Sequence, residues 1–327
     1  MPIKRKNLGK LKLADLFVVT RQWLIGVAMI GLWLPLNLTA SVDFKALAST
    51  ATEHRVQKKL EQFSGFASRV VGYPGATAAA ELIQREFRSL HLDNIAVHEF
   101  DVSVPIEKGG KLRVLETDRA IRLHGLWPNL VRTSTLPAGG LQTHLIDAQS
   151  GRYESMDGLN VEGAAVLMDF NSGDAWVNAA QLGAKAIVFI EPDSTVYLEG
   201  EKKFLSLPLD IPRFWVNKTE GKKLRADLRV KESIKVHLEY RMDWERKSAW
   251  NIIGTIPGYD PLLTNDIVVL EGYYDAMSVV PALAPGAEQA ASVTALLEIA
   301  RHFRENPPAR TVVFLATSAP SRTTWSG

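Results

Sequence analysis

The chain of 327 residues has no cysteine, a formal net charge of +2 and a charged fraction of 23%. The near-neutral charge argues against a dedicated nucleic-acid binder, which usually shows a basic stripe. The lack of cysteine excludes disulfides, thiolate metal ligands and cysteine nucleophiles, so a metal site must use His, Asp or Glu. The length has room for two domains of ordinary size and a sizeable core.

The amino-terminal segment has the pattern of an export signal. Residues 1–21 hold six basic residues and one acid, and an uncharged run of 21 residues follows from Gln22 to Val42. A basic flank before an apolar core is typical of an N-terminal anchor or of a signal peptide. We favour a retained anchor, and cleavage near Thr39 or Ser41 is the alternative. Both predict a folded part outside the cytoplasm, attached to the membrane by a single N-terminal span or exported.

Two helices and a strand are predicted before residue 110. Apolar periodicity indicates a helix between Ala46 and Phe63. A break at Gly72–Gly75 precedes a second helix, which we expect Thr77 to cap. The alternation of Phe100, Val102 and Val104 with polar positions predicts a strand.

Residues 111–245 have the pattern of short strands separated by turns. The clearest strands are Ala164–Phe170 and Ala186–Ile190, and a Gly-bounded turn is expected after the strand in IPRFWVNKTEGKKL. His124 and His144 stand alone in the sequence, so we predict no catalytic cluster here. This segment is expected to be an inserted module.

Residues 251–317 alternate strand patterns with one periodic helix. Ile252–Ile256 predicts a short strand, and the apolar run Ile267–Glu271 predicts a strand covered on both faces. A helix is expected to open at Glu288, and Thr311–Thr317 predicts a third strand. A strand, loop, helix and strand in this order indicate a parallel crossover, whose loops lie at the carboxyl edge of the sheet.

The chain resembles zinc-dependent peptidases of family M28 with an inserted protease-associated (PA) domain. The motifs that carry the resemblance are SGFASRVVGYPGATAAAELIQREF, NIIGTIPG, VVLEGYYDA, PGAEQAASVTALLEIAR and ARTVVFLAT, and GAKAIVFI is similar to the PA domain. The resemblance covers roughly residues 50–317. It implies an α/β fold, a doubly wound zinc-peptidase-like (phosphorylase/hydrolase-like) sheet, with a β-rich insertion. The expected division has four parts. Residues 1–42 are the basic terminus and the membrane anchor or signal peptide, and residues 43–110 are the first part of the M28-like domain. Residues 111–245 are the PA-like insertion, and residues 246–327 are the truncated M28-like core.

The resemblance also locates the expected metal ligands. The family has His-x-Asp after the strand that corresponds to Ile267–Glu271, and this chain has Tyr273 at the histidine position, followed by Tyr274 and Asp275. Glu288 stands nearest the family's bridging aspartate. The family's pair of glutamates after the third strand is replaced by Ala319 and Pro320.

These replacements remove most of the expected chemistry. A catalytic zinc needs about three protein ligands and a carboxylate base. Only Asp275 and Glu288 keep oxygen ligands, so they are the candidate metal ligands, zinc is the metal if any binds, and no catalytic residue is predicted. The alternatives are a loop-capping or ion-paired role for Asp275, a helix-terminal role for Glu288 and a packing role for Tyr273.

The functional expectation is a membrane-anchored, extracytoplasmic peptidase-like protein without catalysis, which binds polypeptide or a membrane partner. The alternative is an active zinc aminopeptidase whose ligands are unusual or lie in a missing carboxyl-terminal part, and a scaffold subunit is a third class. The tail after Ser318 lacks apolar periodicity. The sequence therefore predicts an incomplete, C-terminally truncated M28 sheet with an open strand edge.

Overall fold

The computed structural model describes residues 51–130, 132–204 and 209–319. The helices in chain order are α1 (Glu53–Ser64), α2 (Pro74–Ser89), α3 (Tyr153–Met156), α4 (Trp176–Gln181), α5 (Tyr197–Glu201), α6 (Lys218–Lys231) and α7 (Ala290–Glu305). The strands are β1 (Asp93–Val114), β2 (Arg119–Arg122), β3 (His124–Gly125), β4 (Leu141–Gln149), β5 (Ala165–Asp169), β6 (Ala186–Ile190), β7 (Arg213–Val216), β8 (Ser233–Ile256), β9 (Ile267–Tyr273) and β10 (Thr311–Thr317).

Two long antiparallel strands, β1 and β8, form the spine of one mixed sheet. They pair along almost their whole length, with a register shift between Glu107 and Gly109. The first part of β8 also pairs with β4, and its last part pairs with β10. The sheet order is β2-β1-β8-β4-β5-β6-β7-β3, and β10 and β9 extend from β8. The predicted boundaries at 110/111 and 245/246 fall inside the spine strands, and the division into domains stays a prediction.

Residues 111–245, to which the insertion was assigned and which we call the inserted half, have helices on both faces of a parallel sheet. Strands β4, β5, β6 and β7 are parallel neighbours. Alternate residues of β5 face different cores: Leu167 packs in the cluster that contains Leu224 of α6, whereas Met168 packs with Trp176 of α4. The strands predicted at Ala164–Phe170 and Ala186–Ile190 are confirmed as β5 and β6.

The remaining described residues, which we call the peptidase-like half, carry helices α2 and α7 on one face of the sheet. A methyl group on Gly254 of β8 would contact Phe87 of α2, and one on Gly272 of β9 would contact Ser292 of α7. Gly254 pairs with Phe314 of β10, so both helices cover the same face, because paired residues project to the same side of a sheet. The parallel pairing of β9 with β10 confirms the predicted crossover.

The prediction that Ile267–Glu271 is buried on both faces is wrong. Within the described residues β9 pairs only with β10, and the exposed fractions of Ile267 and Val269 are 62% and 55%. A continuous apolar run does not distinguish a central strand from an edge strand, because both are built from the same residue types.

Two local predictions are also corrected. Helix α2 begins at Pro74, ahead of Thr77, because proline fits the first helical turn, where its missing N–H has no partner to lose. The predicted turn around Gly221 is instead part of α6, which Asn217 caps by accepting a hydrogen bond from Glu220 N at 2.9 Å. Gly221 packs against Ile190, and a methyl group there would lie 2.5 Å from that side chain.

The predicted membrane localisation is contradicted by the described chain. None of its helices is both long enough and apolar enough to cross a membrane. Residues 22–42, to which the span was assigned, lie outside the described residues.

Candidate functional site at the carboxyl edge of β9 and β10

Strands β9 and β10 end side by side, and the residues that follow them form the candidate site. Tyr273 pairs with Thr317, the last residue of β10. Tyr274 N donates a hydrogen bond to Thr317 O at 3.0 Å, so the pairing of β9 with β10 extends one residue beyond the end of β9. Asp275 follows Tyr274 directly, and Ala319 lies two residues after Thr317. The edge thus brings Tyr273 and Asp275 next to Ala319, three of the positions that the family resemblance singles out.

The two tyrosines have different environments. Tyr273 is 38% exposed, whereas Tyr274 is buried and donates its hydroxyl hydrogen to Trp250 O at 2.7 Å. Burial raises the pKa of Tyr274 above its ordinary value of 10, so its side chain is a neutral phenol near neutral pH. Tyr274 is therefore a packing residue whose hydroxyl has one backbone partner, and Tyr273 is the partly exposed one of the pair.

Asp275 is buried and fastens the end of β10. Its Oδ2 accepts a hydrogen bond from Ala319 N at 2.8 Å, and only 5% of the residue is exposed. Ala319 has a φ of 59°, in the left-handed region that costs a residue with a Cβ about 1–2 kcal/mol. The carboxylate of Asp275 thus helps to hold a strained turn at the position of the family's glutamate pair.

Arg69 holds the loop that follows β9. Its Nε donates to Tyr274 O at 2.8 Å, Nη1 donates to Phe63 O at 2.9 Å and to Pro285 O, and Nη2 donates to Gly286 O at 3.0 Å. The residue is fully buried. Burial lowers the pKa of Arg69 to about 10, and the charge of Asp275 opposes that shift, so the guanidinium is cationic at neutral pH.

The inserted half contacts the same loop from the other side. Trp127 N donates to Val279 O at 2.6 Å, and Val280 is buried in the core that contains Trp176 and Phe189. Residues 275–289, the site loop, are therefore fixed by both halves of the fold.

The two candidate metal ligands, Asp275 and Glu288, differ in their exposure to solvent. Glu288 is exposed, two residues before α7, and its backbone carbonyl accepts from Ala291 N at 3.1 Å. Within the described residues its carboxylate forms no ion pair, whereas Asp275 is buried. The assignment of a metal to Asp275 and Glu288 stays a prediction.

The donor set at this edge does not fit a zinc centre. Among the described residues no group of three or more His, Asp or Glu side chains is arranged to hold a metal. The carboxylate of Asp275 is engaged with a backbone N–H, and Tyr273 carries a phenol where an imidazole would be required. Neutral imidazole and carboxylate are the ligands that zinc takes when cysteine is absent.

A cavity of about 200 Å³ opens beside the edge. Its lining comes from the turn before α2 and that helix's first turn, from β8 and from the ends of β9 and β10: Val71, Gly72, Ala76, Thr77, Lys247, Ser248, Ala249, Trp250, Tyr274 and Ser318. Thr77 and Ser248 are exposed, and Ser318 is buried. The cavity offers hydroxyl groups and an aliphatic lysine stem, with no carboxylate among its lining residues.

The sequence analysis missed a second polar cluster, which joins Glu107 to two residues of the inserted half. His124 Nδ1 lies 3.1 Å from Glu107 Oε1, and Tyr240 donates its hydroxyl hydrogen to Glu107 Oε2 at 3.0 Å. Tyr240 also accepts from Gly125 N at 2.6 Å. The cluster joins β1, β3 and β8, so His124 is not isolated. Its partners are distant in sequence, and no local spacing could have revealed them.

Comparisons with known proteins give the family that the chain resembles and the fold that it shares. Residues 251–320 match the sequence model of peptidase family M28. A zinc aminopeptidase from Bacillus subtilis has a similar structure, with a TM-score of 0.57 and 21% identity, over 81% of this chain and 61% of that one. A peptidase M28 precursor from Shewanella amazonensis gives a TM-score of 0.55 and 15% identity, over 84% and 66%. A comparison with curated proteins finds no significant match.

The chain spans about three fifths of the length of the Bacillus subtilis enzyme. At these identities the structural likeness concerns the fold. The resemblance to peptidase family M28 is confirmed by the match over residues 251–320, and the described chain has the mixed α/β fold of zinc aminopeptidases of known structure.

Proposed function

We propose that the chain is a peptidase-like protein that binds polypeptide at the carboxyl edge of β9 and β10 without hydrolysing it through a zinc-bound water. The observation that carries the proposal is the 2.8 Å hydrogen bond from Ala319 N to Asp275 Oδ2. Because this carboxylate fastens the end of β10, the edge has a backbone contact where the family resemblance expects a metal and a base.

Polypeptide is the ligand class that the dimensions of the edge favour. The cavity of about 200 Å³ is smaller than the 300–1,000 Å³ of pockets that take drug-sized molecules. It has room for one side chain or one terminal residue, while the rest of a longer ligand lies on the surface around Thr77 and Ser248, the exposed residues of the lining. The fold shared with a zinc aminopeptidase supports the same class.

The binding test is a substitution at the cavity mouth. Thr77 and Glu81 are both exposed on α2, but only Thr77 lines the cavity. With fluorescein-labelled casein peptides and fluorescence anisotropy, we expect Thr77→Trp to weaken binding at least about tenfold by filling the cavity. Glu81→Trp, the matched control, should stay within about twofold. Equal binding by both variants contradicts this location.

An active zinc aminopeptidase is the second candidate, favoured by the family match over residues 251–320. It requires ligands and a base in addition to the described residues. The chain supplemented with zinc is assayed on leucine p-nitroanilide, with and without a chelator. We expect equal rates in both samples. Turnover that the chelator abolishes and zinc restores, and that Asp275→Asn removes, would overturn the non-catalytic proposal.

A further inference from the structure

We propose that the cavity beside the carboxyl edge takes the carboxyl-terminal residue of a polypeptide, with the terminal carboxylate at Lys247 and the last side chain against the apolar wall. This inference rests on the proposed polypeptide binding and specifies which end of the ligand enters. Capture of a terminal carboxylate by backbone N–H groups is a recurring mode of peptide recognition, and a cation beside them strengthens it.

The first observation is the charge of the cavity lining. Among the ten described residues that line the cavity, Lys247 is the only charged one. Its ammonium group lies 2.7 Å from Glu245 Oε2, and Glu245 also pairs with Lys108. Two lysines thus share one carboxylate, which leaves a net positive charge beside the cavity. A ligand carboxylate is attracted there, whereas an amino terminus would be repelled and would find no acid in the lining.

Helix α2 directs its positive end towards the same cavity. Ala76 and Thr77 of its first turn belong to the lining. That turn contains no acidic residue, and Tyr73, at the position before the helix, makes no capping hydrogen bond with its side chain. The positive end of the helix dipole is therefore not compensated within the first turn, so it adds to the attraction of Lys247 for an anion.

The backbone of β8 supplies a further donor. Strand β10 pairs with β8 only from Ile252 onward and β4 only up to Leu238, so within the described residues no strand covers the stretch between them. Trp250 O accepts the hydrogen of the Tyr274 hydroxyl and therefore points away from β1. Residues of an antiparallel pair alternate in direction, so the N–H group of Ser248 points to the same side as Trp250 O. Ser248 lines the cavity and offers this N–H group and a hydroxyl.

The rest of the lining is suited to one apolar side chain. Val71, Ala76 and Ala249 are buried and line the cavity. The hydroxyl hydrogen of Tyr274, which also lines it, is already donated to Trp250 O. A volume of about 200 Å³ has room for a single residue. The preferred ligand is therefore a chain that ends in an apolar residue with a free carboxylate.

The test compares peptides that differ only at their ends and carry fluorescein on an internal lysine. One ends in alanine-leucine with a free carboxylate, and one has the same sequence as an amide. A third is an amide that ends in alanine-glutamate, so that its only carboxylate is on a side chain. By fluorescence anisotropy we expect the free acid to bind at least about tenfold more tightly than either amide. Acetylation of the amino terminus should change each affinity by less than about twofold.

The variants act on the cation and on its competitor. Lys247→Gln should reduce the preference for the free acid to less than about twofold, and Lys247→Arg should keep it. Glu245→Gln removes the carboxylate that competes for Lys247 and should strengthen binding of the free acid by about threefold. Arg246→Gln is the matched control, because Arg246 is the exposed neighbour on β8, pairs with Asp101 at 2.7 Å and does not line the cavity. It should leave the preference intact.

Three results would overturn the inference. The first is equal binding of the free acid and its amide, and the second is a preference that survives Lys247→Gln or depends on a free amino terminus. The third is binding of the glutamate amide as tightly as of the free acid, because this would identify a side-chain carboxylate as the ligand.

The two proposals fail in distinguishable ways. If Thr77→Trp weakens the acid and amide peptides alike and neither is preferred, the polypeptide site stands and only the assignment of its end is refuted. If no peptide binds, or if Thr77→Trp affects none of them, the proposed polypeptide binding is refuted as well.

Discussion

Replacing Arg69 by methionine tests whether one buried guanidinium holds the site loop. Its hydrogen bonds reach four carbonyls, two of them in the loop after β9, at Pro285 and Gly286, and the others at Phe63 and Tyr274. Methionine keeps a long apolar stem and removes every donor. The variant therefore separates the packing of the side chain from its hydrogen bonds.

The expected cost follows from the burial of those carbonyls. Phe63 and Tyr274 are buried, whereas Pro285 is exposed and Gly286 is half-buried. A buried acceptor without a partner costs about 1–3 kcal/mol, and the exposed carbonyls can bond to water. Tyr274 O loses its partner, whereas Phe63 O keeps one long hydrogen bond, from Phe66 N at 3.5 Å, so the two acceptors together give about 2–5 kcal/mol, and relief from burying a cation offsets part of this. We expect a decrease of about 3 kcal/mol in the free energy of unfolding.

Urea unfolding followed by circular dichroism measures this change, and hydrogen exchange of residues 275–289 locates it. Arg85→Met is the control, because Arg85 is exposed on α2 and its nearest acid, Glu81, lies 3.9 Å away. The control should change the free energy of unfolding by less than about 0.5 kcal/mol. The reasoning is refuted if Arg69→Met destabilises by less than about 1 kcal/mol, or if exchange in residues 275–289 is unchanged.

Three further substitutions have defined outcomes. Burial lowers the pKa of Lys203 from 10.5 to about 8, so the unfolded chain binds more protons than the folded chain between these pH values. The free energy of unfolding should therefore rise with pH in this range, by at most about 3 kcal/mol. Urea titrations of Lys203→Met should lack that rise, and the same dependence on pH in the variant and the wild type would contradict the prediction. Burial alone raises the pKa of Glu107, but hydrogen bonds from His124 and Tyr240 outweigh it and lower the pKa. The stabilisation by the Glu107 carboxylate should therefore be complete above pH 4.5 and be lost as the pH falls through the lowered pKa. A Glu107→Gln variant that is as stable as the wild type at pH 7 would exclude this stabilisation. Tyr274→Phe removes one hydrogen bond to a backbone carbonyl of β8 and should lower the free energy of unfolding by about 1 kcal/mol, which calorimetry can measure. An unchanged free energy of unfolding would show that this hydrogen bond adds no stability.

The sequence predicted the elements that depend on local pattern. Strand Ala186–Ile190 is observed with the predicted bounds, and the periodic helix after Glu288 begins two residues later, at Ala290. The carboxyl edge was also predicted correctly, because alternation of strand, loop and helix fixes which loops lie together. Local pattern could not show that Ile252–Ile256 is the end of β8, a strand of 24 residues, because the charged run Glu245–Lys247 interrupts the apolar alternation that precedes it.

Contacts between distant residues were beyond the sequence argument. Arg69 and Tyr274 are separated by 205 positions, and Glu107 and Tyr240 by 133. A lone arginine before a helix is most often a surface residue, so only the folded chain shows that this one reaches four carbonyls. The sequence left two roles for Asp275, a metal ligand and a residue that caps a loop. Its hydrogen bond from Ala319 N is a contact of the loop-capping type.

The geometry of the carboxyl edge can persist without a metal because its supports are independent of one. The site loop is held by Arg69 on one side and by the hydrogen bond between Trp127 and Val279 on the other. Asp275 fastens the end of β10. None of these contacts uses the carboxylate of Glu288 or the exposed ring of Tyr273. Substitutions at those two positions should therefore leave the fold intact, so that any change they make in the proposed polypeptide binding reports on the surface itself and not on its rigid scaffold.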